Sequence, residues 1–404
     1  MRLTPPYSFF MRGLLWLSPL LIVVIFVEAS LWRAGETIPL KLICESVTAD
    51  NSESTLFMRQ FLDQGLHRIK YLSLQQRKPR IVALGTSRVM QFRDVMFGQS
   101  GSMFYNAGGM IQNLDDLQQF VDKIQELPSI RVVILGIEYW WLNDRWRETI
   151  GKVSYFNDKI QHDDALDGFA HANVLQQFLR SGLREDLARP TFYTLIGAWQ
   201  GESAPVMHRW GFLARNRGKG FRSDGSFEYG QLKPTDWRFK DRENPPIMER
   251  IRNGNREFIS MRSLSDKRMH QLLVCLRKLK ESGINVICFS PPYPQDVVME
   301  LTINTDHKHA WQQYTDQLPE KIQLEGIPFV SAYATHLIGM NDSSMFDGFH
   351  ALETFHLRLV QIMTEGLGNK NILGVDAKRI RTLLQSPRTN PWFPDYNAYQ
   401  NPTV

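Results

Sequence analysis

Residues 80–88 read RIVALGTSR. The apolar side chains from Ile81 to Leu84 run without a polar interruption, too briefly for a helix, and stop at a glycine followed by two hydroxyl residues. A short, unbroken run of this kind suits a strand buried on both faces. Similar runs recur at Met103 to Tyr105, Arg131 to Leu135, Ile284 to Phe289 and Ile327 to Val330, each bounded by turn residues. Between them the apolar period becomes helical. Leu114, Leu117, Val121 and Ile124 follow Asn113 as N-cap; Met269, Leu272, Leu273, Leu276 and Leu279 follow Ser265; Leu352, Phe355, Leu359 and Ile362 precede Gly366. A further helix is expected around Leu56 to Leu72, and a helical segment from Val89. Strands alternating with helices predict an α/β chain built on a parallel sheet.

In open α/β sheets chemistry gathers just past the carboxyl ends of the strands, which is where Gly85-Thr86-Ser87-Arg88 falls. Glycine permits the tight turn, and Ser87 is then expected to present its hydroxyl beside the first N–H groups of a helical turn, donors able to hold an oxyanion. Taken alone, a strand followed by Gly-Thr-Ser also suits an ordinary helix cap. A serine hydroxyl becomes a useful nucleophile only when an imidazole takes its proton, and that imidazole needs a carboxylate on its far nitrogen. Asp347 and His350, in Met345-Phe346-Asp347-Gly348-Phe349-His350 before the last helix, can supply both. No other histidine has a comparable context: His162 and His171 lie in a polar stretch, and His356 falls inside the last helix.

At 404 residues with 43% apolar side chains the chain can bury a sizeable core, and its net charge of +5 is spread over both signs. Nucleic-acid binding is not suggested, whereas anionic glycans or lipid head groups remain compatible partners. Cys44, Cys275 and Cys288 are too scattered for a disulfide framework or a zinc pattern, and neither a metal nor another cofactor is implied.

Gly13 to Val27 carries no charge, and the apolar run continues past Glu28 to Trp32, about the length that spans a bilayer. Arg2 and Arg12 precede it without an acid, so the positive-inside rule predicts a cytoplasmic N-terminus and an exported remainder. A cleaved signal peptide and a buried soluble helix are the alternatives. The expected organisation is an anchor over residues 1–32 and a juxtamembrane segment over 33–78. An α/β domain follows over 79–368, with a large insertion at about 143–262, and a tail covers 369–404. The insertion holds Trp146, Trp199, Trp210 and Trp237 with a basic run through Arg209, Arg215, Arg217, Lys219 and Arg222. It reads either as packing on the core or as a glycan-facing surface.

Together these blocks resemble the SGNH, or GDSL-like, hydrolases over roughly residues 80–145 and 280–365. Ser87 matches the family's nucleophile in Gly85-Thr86-Ser87, with Thr86 where the family has an Asp. Gly108 in Tyr105-Asn106-Ala107-Gly108-Gly109 matches its second block, and Asp347 with His350 matches the closing Asp-x-x-His. The resemblance implies a sheet between helical layers, acyl-serine chemistry, and an oxyanion held by the N–H groups of Ser87 and Gly108. The third block departs: Glu138 in Gly136-Ile137-Glu138-Tyr139 stands where the family carries an oxyanion Asn, and an ionised carboxylate donates nothing. Backbone donors must then suffice, or Asn143 reaches in, or activity is reduced. Candidate substrate-facing residues are Arg88, Asn106, Glu138 and Trp140; Arg88 also reads as a helix-surface charge, and Glu138 and Trp140 as plain packing.

The chain is also similar to membrane-anchored members of this group, the alginate O-acetylation proteins and the D-alanine transfer protein of teichoic acid synthesis. That similarity implies an esterase or acyltransferase at a bacterial inner membrane, facing the periplasm. It would act on a cell-surface polysaccharide or cell-wall polymer, with a membrane-embedded acyl-transfer protein as a compatible partner. A catalytically silent SGNH-like component of an exopolysaccharide machine is the rival from another class, and a chance match on an unrelated α/β protein is the third reading.

Overall fold

The computed structural model describes residues 5–49, 56–60, 66–146, 176, 180, 209–230, 247–366 and 372–385. Trp199, Trp237, His162, His171 and the tail beyond residue 385 lie outside the described residues. The chain is α/β and divides into two units, Met1–Gly65 with Gln161–Ser223 and Glu228–Gln231, and Leu66–Ile160 with Asp224–Phe227 and Leu232–Val404.

In the second unit the expected apolar runs pair as five parallel strands. They are β2 (Ile81–Gly85), β3 (Phe104–Gly108), β4 (Val132–Gly136), β8 (Asn285–Phe289) and β9 (Phe329–Val330), in the order β3-β2-β4-β8-β9. Ile81 lies opposite Phe104 on one side and Val132 on the other, and the ladder continues with Val132 opposite Asn285. All five residues of each of β2, β3 and β4 are buried. Alternate side chains of β2 enter different cores. Ile81 and Ala83 pack with Phe92, Phe97 and Phe355, while Val82 and Leu84 pack with Leu117, Leu272 and Leu276. That two-sided burial is why these strands read as continuous apolar runs rather than as alternation.

The capped helices also form. In α4 (Leu114–Asp122) the Asn113 side chain accepts from the N–H groups of Asp115 and Asp116; in α7 (Asp266–Glu281) Ser265 accepts from Arg268; α11 (Glu353–Gly366) is the last helix before the short α12 (Ala377–Gln385). Two helical expectations are corrected. Between Leu56 and Leu72, helix is found among the described residues only in α3 (Leu66–Arg77), because Leu56 and Phe57 form a strand, β1, paired with distant segments. From Val89 only one 3₁₀ turn forms, Ser87–Val89, followed by a 3₁₀ stretch over Asp94–Met103 that kinks at Gly98. The end of the expected insertion, in α6 (Ile247–Asn253) and beyond, packs on this unit's core through Ile247, Ile251, Phe258 and Met261.

The first unit begins with α1 (Pro5–Ala34), whose stretch Leu15–Ala34 is long and apolar enough to cross a membrane. Trp16, Leu20 and Ile22 are exposed along it, but Ser30, Leu31 and Ala34 in its last turns are fully buried. Beyond it, α2 (Leu40–Ala49) precedes β1, and β1 pairs in parallel with β5 (Arg209–Trp210) and antiparallel with β6 (Gly220–Phe221). The helix α5 (Phe212–Arg217) and the strand β7 (Phe227–Glu228), which closes the order β5-β1-β6-β7, complete the described elements of this region. The Glu36 carboxylate accepts from the N–H groups of Gln60 at 2.8 Å and Phe212 at 2.7 Å. Gly35 has φ +87°, and a Cβ there would sit 2.8 Å from the Gly211 nitrogen, so only glycine lets the end of α1 approach this strand.

Candidate active site

The β2 strand ends at Gly85, and Thr86 caps the 3₁₀ turn by accepting the Arg88 N–H on its hydroxyl oxygen at 3.2 Å. This leaves Ser87 at the tip of the turn, half-buried, at the carboxyl end of a central strand. The other partners come from the loop before α11. Asp347 Oδ1 accepts the N–H groups of both Phe349 and His350 at 2.7 Å, a local turn that folds the loop back and leaves Oδ2 facing the imidazole.

His350 Nδ1 lies 2.8 Å from Asp347 Oδ2, and His350 Nε2 lies 2.9 Å from Ser87 Oγ. Burial disfavours the Asp347 charge, yet the adjacent His350 ring and the two N–H donors outweigh it and hold the carboxyl at about 2. An ionised Asp347 fixes the proton on His350 Nδ1, leaving the Nε2 lone pair to accept from the serine hydroxyl. The structure thus brings together three residues separated by as many as 263 positions, in the geometry of a nucleophile, a base and the carboxylate that orients it.

The remaining sequence candidates are placed differently. The Gly108 N–H donates to Asn106 Oδ1 at 2.8 Å, and Asn106 Nδ2 donates to the Val89 and Phe92 carbonyls at 2.8 and 2.9 Å. Asn143 Nδ2 donates to the Ile259 carbonyl at 2.8 Å. The Gly108 N–H and one of the two Asn143 Nδ2 hydrogens are therefore already engaged by other acceptors. Asn106 is fully buried and braces the segment after Ser87 rather than facing a substrate. Among the described residues the Ser87 N–H is the one amide of the Ser87–Met90 turn without an acceptor; those of Arg88, Val89 and Met90 are bonded within the turn.

Glu138, at 0% exposure, and Arg88, at 2%, face each other and not solvent. Arg88 Nη1 donates to Glu138 Oε2 at 2.7 Å, and the Thr86 hydroxyl donates to Glu138 Oε1 at 2.5 Å. Burial raises the Glu138 carboxyl above its ordinary value, with Arg88 and Thr86 pulling it back. The substrate-facing reading of both residues is corrected on this ground. Trp140 is likewise buried, with its ring 6.1 Å from those of Trp146 and Phe349.

Sequence reasoning passed over His356, which lies beneath the turn. Its Nδ1 is 3.0 Å from the Leu352 carbonyl and its Nε2 is 3.0 Å from the Arg88 carbonyl. Burial pushes this imidazole down to about 4, so it is neutral and donates one of these two bonds at a time. Nothing in the helical pattern around His356 marks that contact. Among the described residues no group of His, Cys, Asp and Glu side chains could hold a metal ion. No protein-family model, curated protein or solved structure matches the chain.

Proposed function

We propose that the chain is a membrane-anchored serine esterase or O-acyltransferase of the SGNH type. Its three-layer α/β domain would face the periplasm and act on acyl groups, O-acetyl in the first instance, of a cell-surface polysaccharide or cell-wall polymer. The observation that carries the reading is the Asp347–His350–Ser87 relay, with contacts of 2.8 and 2.9 Å. In the first half-reaction His350 Nε2 takes the Ser87 proton as Oγ attacks the acyl carbon, and the Ser87 N–H donates to the oxyanion. The imidazolium then returns that proton to the departing oxygen, leaving an acyl-serine. Water as the second acceptor completes an esterase cycle; a sugar hydroxyl completes a transfer.

The membrane reading is supported by the length and composition of Leu15–Ala34 and by the burial of Ser30, Leu31 and Ala34 within the folded first unit. A helix whose last turns are structural is suited to retention as an anchor, and Arg2 and Arg12 before it favour an N-in orientation. A substrate held near the membrane, with an embedded partner handing the acyl group outward, follows from that placement.

The second reading is a silent assembly component. It is favoured by the engagement elsewhere of the Gly108 N–H and of one Asn143 Nδ2 hydrogen, which leaves the Ser87 N–H as the one open backbone amide of the expected oxyanion set. Labelling of the full chain with a serine-reactive fluorophosphonate, mapped by mass, separates the two. Adduct on Ser87 that disappears in Ser87→Ala and falls steeply in His350→Ala is expected. Folded protein without adduct on Ser87 would give the second reading precedence.

A further inference from the structure

Arg88 follows the nucleophile directly, yet its side chain turns away from solvent and ends in a closed set of acceptors. Nε donates to the Phe349 carbonyl at 2.9 Å, Nη1 to Glu138 at 2.7 Å and Nη2 to the Pro292 carbonyl. The guanidinium lies over the Tyr293 ring at 4.1 Å, with the Trp140 and Phe349 rings at 5.7 and 5.9 Å. These acceptors come from three places: the end of β4, the loop after β8 and the loop that carries the catalytic pair. One of them is special, because the Phe349 carbonyl belongs to the peptide bond that leads into His350.

Resting on the acyl-serine reading above, we infer that Arg88, neutralised by Glu138, is the positioning residue that sets His350 against Ser87. The chain closes a ring. Ser87 leads to Arg88, the Arg88 side chain holds the Phe349 carbonyl, and His350 returns through its Nε2 to Ser87 Oγ at 2.9 Å. A flexible link in that ring would let the imidazole drift on its loop, and displacements on the order of 1 Å cost about a hundredfold in rate at such sites.

Stability alone does not account for the pair. Two charges removed from water recover their desolvation only with full hydrogen bonding, and well-packed apolar replacements of buried ion pairs are often as stable or more so. What the pair supplies is direction. A guanidinium presents five hydrogens in one rigid plane, so it can meet three acceptors at fixed angles; an ammonium is a point charge with rotating donors and cannot reproduce the fork. Glu138 completes the device by accepting from Thr86 through its other oxygen, which ties the residue before the nucleophile to the same carboxylate. His356 Nε2 lies 3.0 Å from the Arg88 carbonyl and can donate to it in one of its two tautomers.

The test uses the full chain and two variants. Arg88→Lys keeps the charge against Glu138 and loses the fork. Arg88→Met combined with Glu138→Gln removes both charges while retaining an acceptor for Thr86, so that no buried charge is stranded. Thermal unfolding confirms that each is folded. Two rates are then measured: fluorophosphonate adduct formation on Ser87, and diethyl pyrocarbonate modification of His350, both mapped by mass. The inference expects both variants to label Ser87 roughly ten- to a hundredfold more slowly, and His350 to be modified several-fold faster as its loop loosens. Folded double variant with both rates equal to those of the parent chain overturns it, since a merely structural pair would leave them unmoved. Absence of any Ser87 adduct in the parent chain would instead strike the acyl-serine reading, and the His350 rate alone would then decide whether Arg88 positions the loop.

Discussion

Asn106 Oδ1 accepts the Gly108 N–H at 2.8 Å while Asn106 Nδ2 donates to the carbonyls of Val89 and Phe92. One buried amide thereby joins β3 to the segment that follows Ser87. The side chain that braces the turn through Nδ2 takes up, through Oδ1, the N–H that the proposed reaction would offer to its oxyanion.

Replacing that amide should separate the two effects. Asn106→Ala leaves two buried carbonyls without their donor and is expected to destabilise the fold by about 2–4 kcal/mol, since each stranded polar group costs on the order of 1–3 kcal/mol. Adduct formation on Ser87 should slow despite the freed Gly108 N–H, because the turn loses its brace. Chemical denaturation with the labelling rate in parallel checks both; faster labelling in the variant would mean that the donor matters more than the brace.

Asp347 gives a pH signature with a definite sign. Its carboxyl is held near 2, below its ordinary value of 3.8, so the folded state binds the proton less readily than the unfolded chain. The stabilisation is fully present above that ordinary value and is lost as pH falls through about 2. Melting temperatures of the parent chain and Asp347→Asn should differ at pH 5 and converge towards pH 2. The variant should also label Ser87 on the order of a thousandfold or more slowly, by analogy with carboxylate loss in other triads. A melting difference independent of pH would mean that the shift does not contribute to stability.

The sheet was legible because burial on both faces leaves unbroken apolar runs such as Ile81 to Leu84, and the carboxylate–imidazole pair was legible because Asp347 and His350 are three residues apart. Arg88 and Glu138 were not. A charged side chain beside a surface turn looks like solvent-facing charge, and the partners that bury it lie 50 and 261 positions away. The small sheet of the first unit was missed for a related reason. β1, β5 and β6 are two residues each, too short to carry a period, and the pairing of Leu56 with Arg209 overrides the helical spacing that continues into α3.

Glu36 tests how far the end of α1 is a structural part of the first unit. Its carboxylate is fully buried and accepts the N–H groups of Gln60 and Phe212, residues from β1's neighbourhood and from the start of α5. Ser30, Leu31 and Ala34 are buried as well, which makes the last turns of α1 part of this unit's interior. Glu36→Ala removes the carboxylate that both amides donate to, at an expected cost of about 2–4 kcal/mol on the same reasoning as for Asn106. Limited proteolysis of the full chain should then cut within residues 35–49 and 209–223 several-fold faster, while the rate of adduct formation on Ser87 stays that of the parent. Unchanged proteolysis would mean that strand pairing, rather than this carboxylate, holds the segments against the helix end. Slower Ser87 labelling would mean instead that this carboxylate also influences the Ser87 turn.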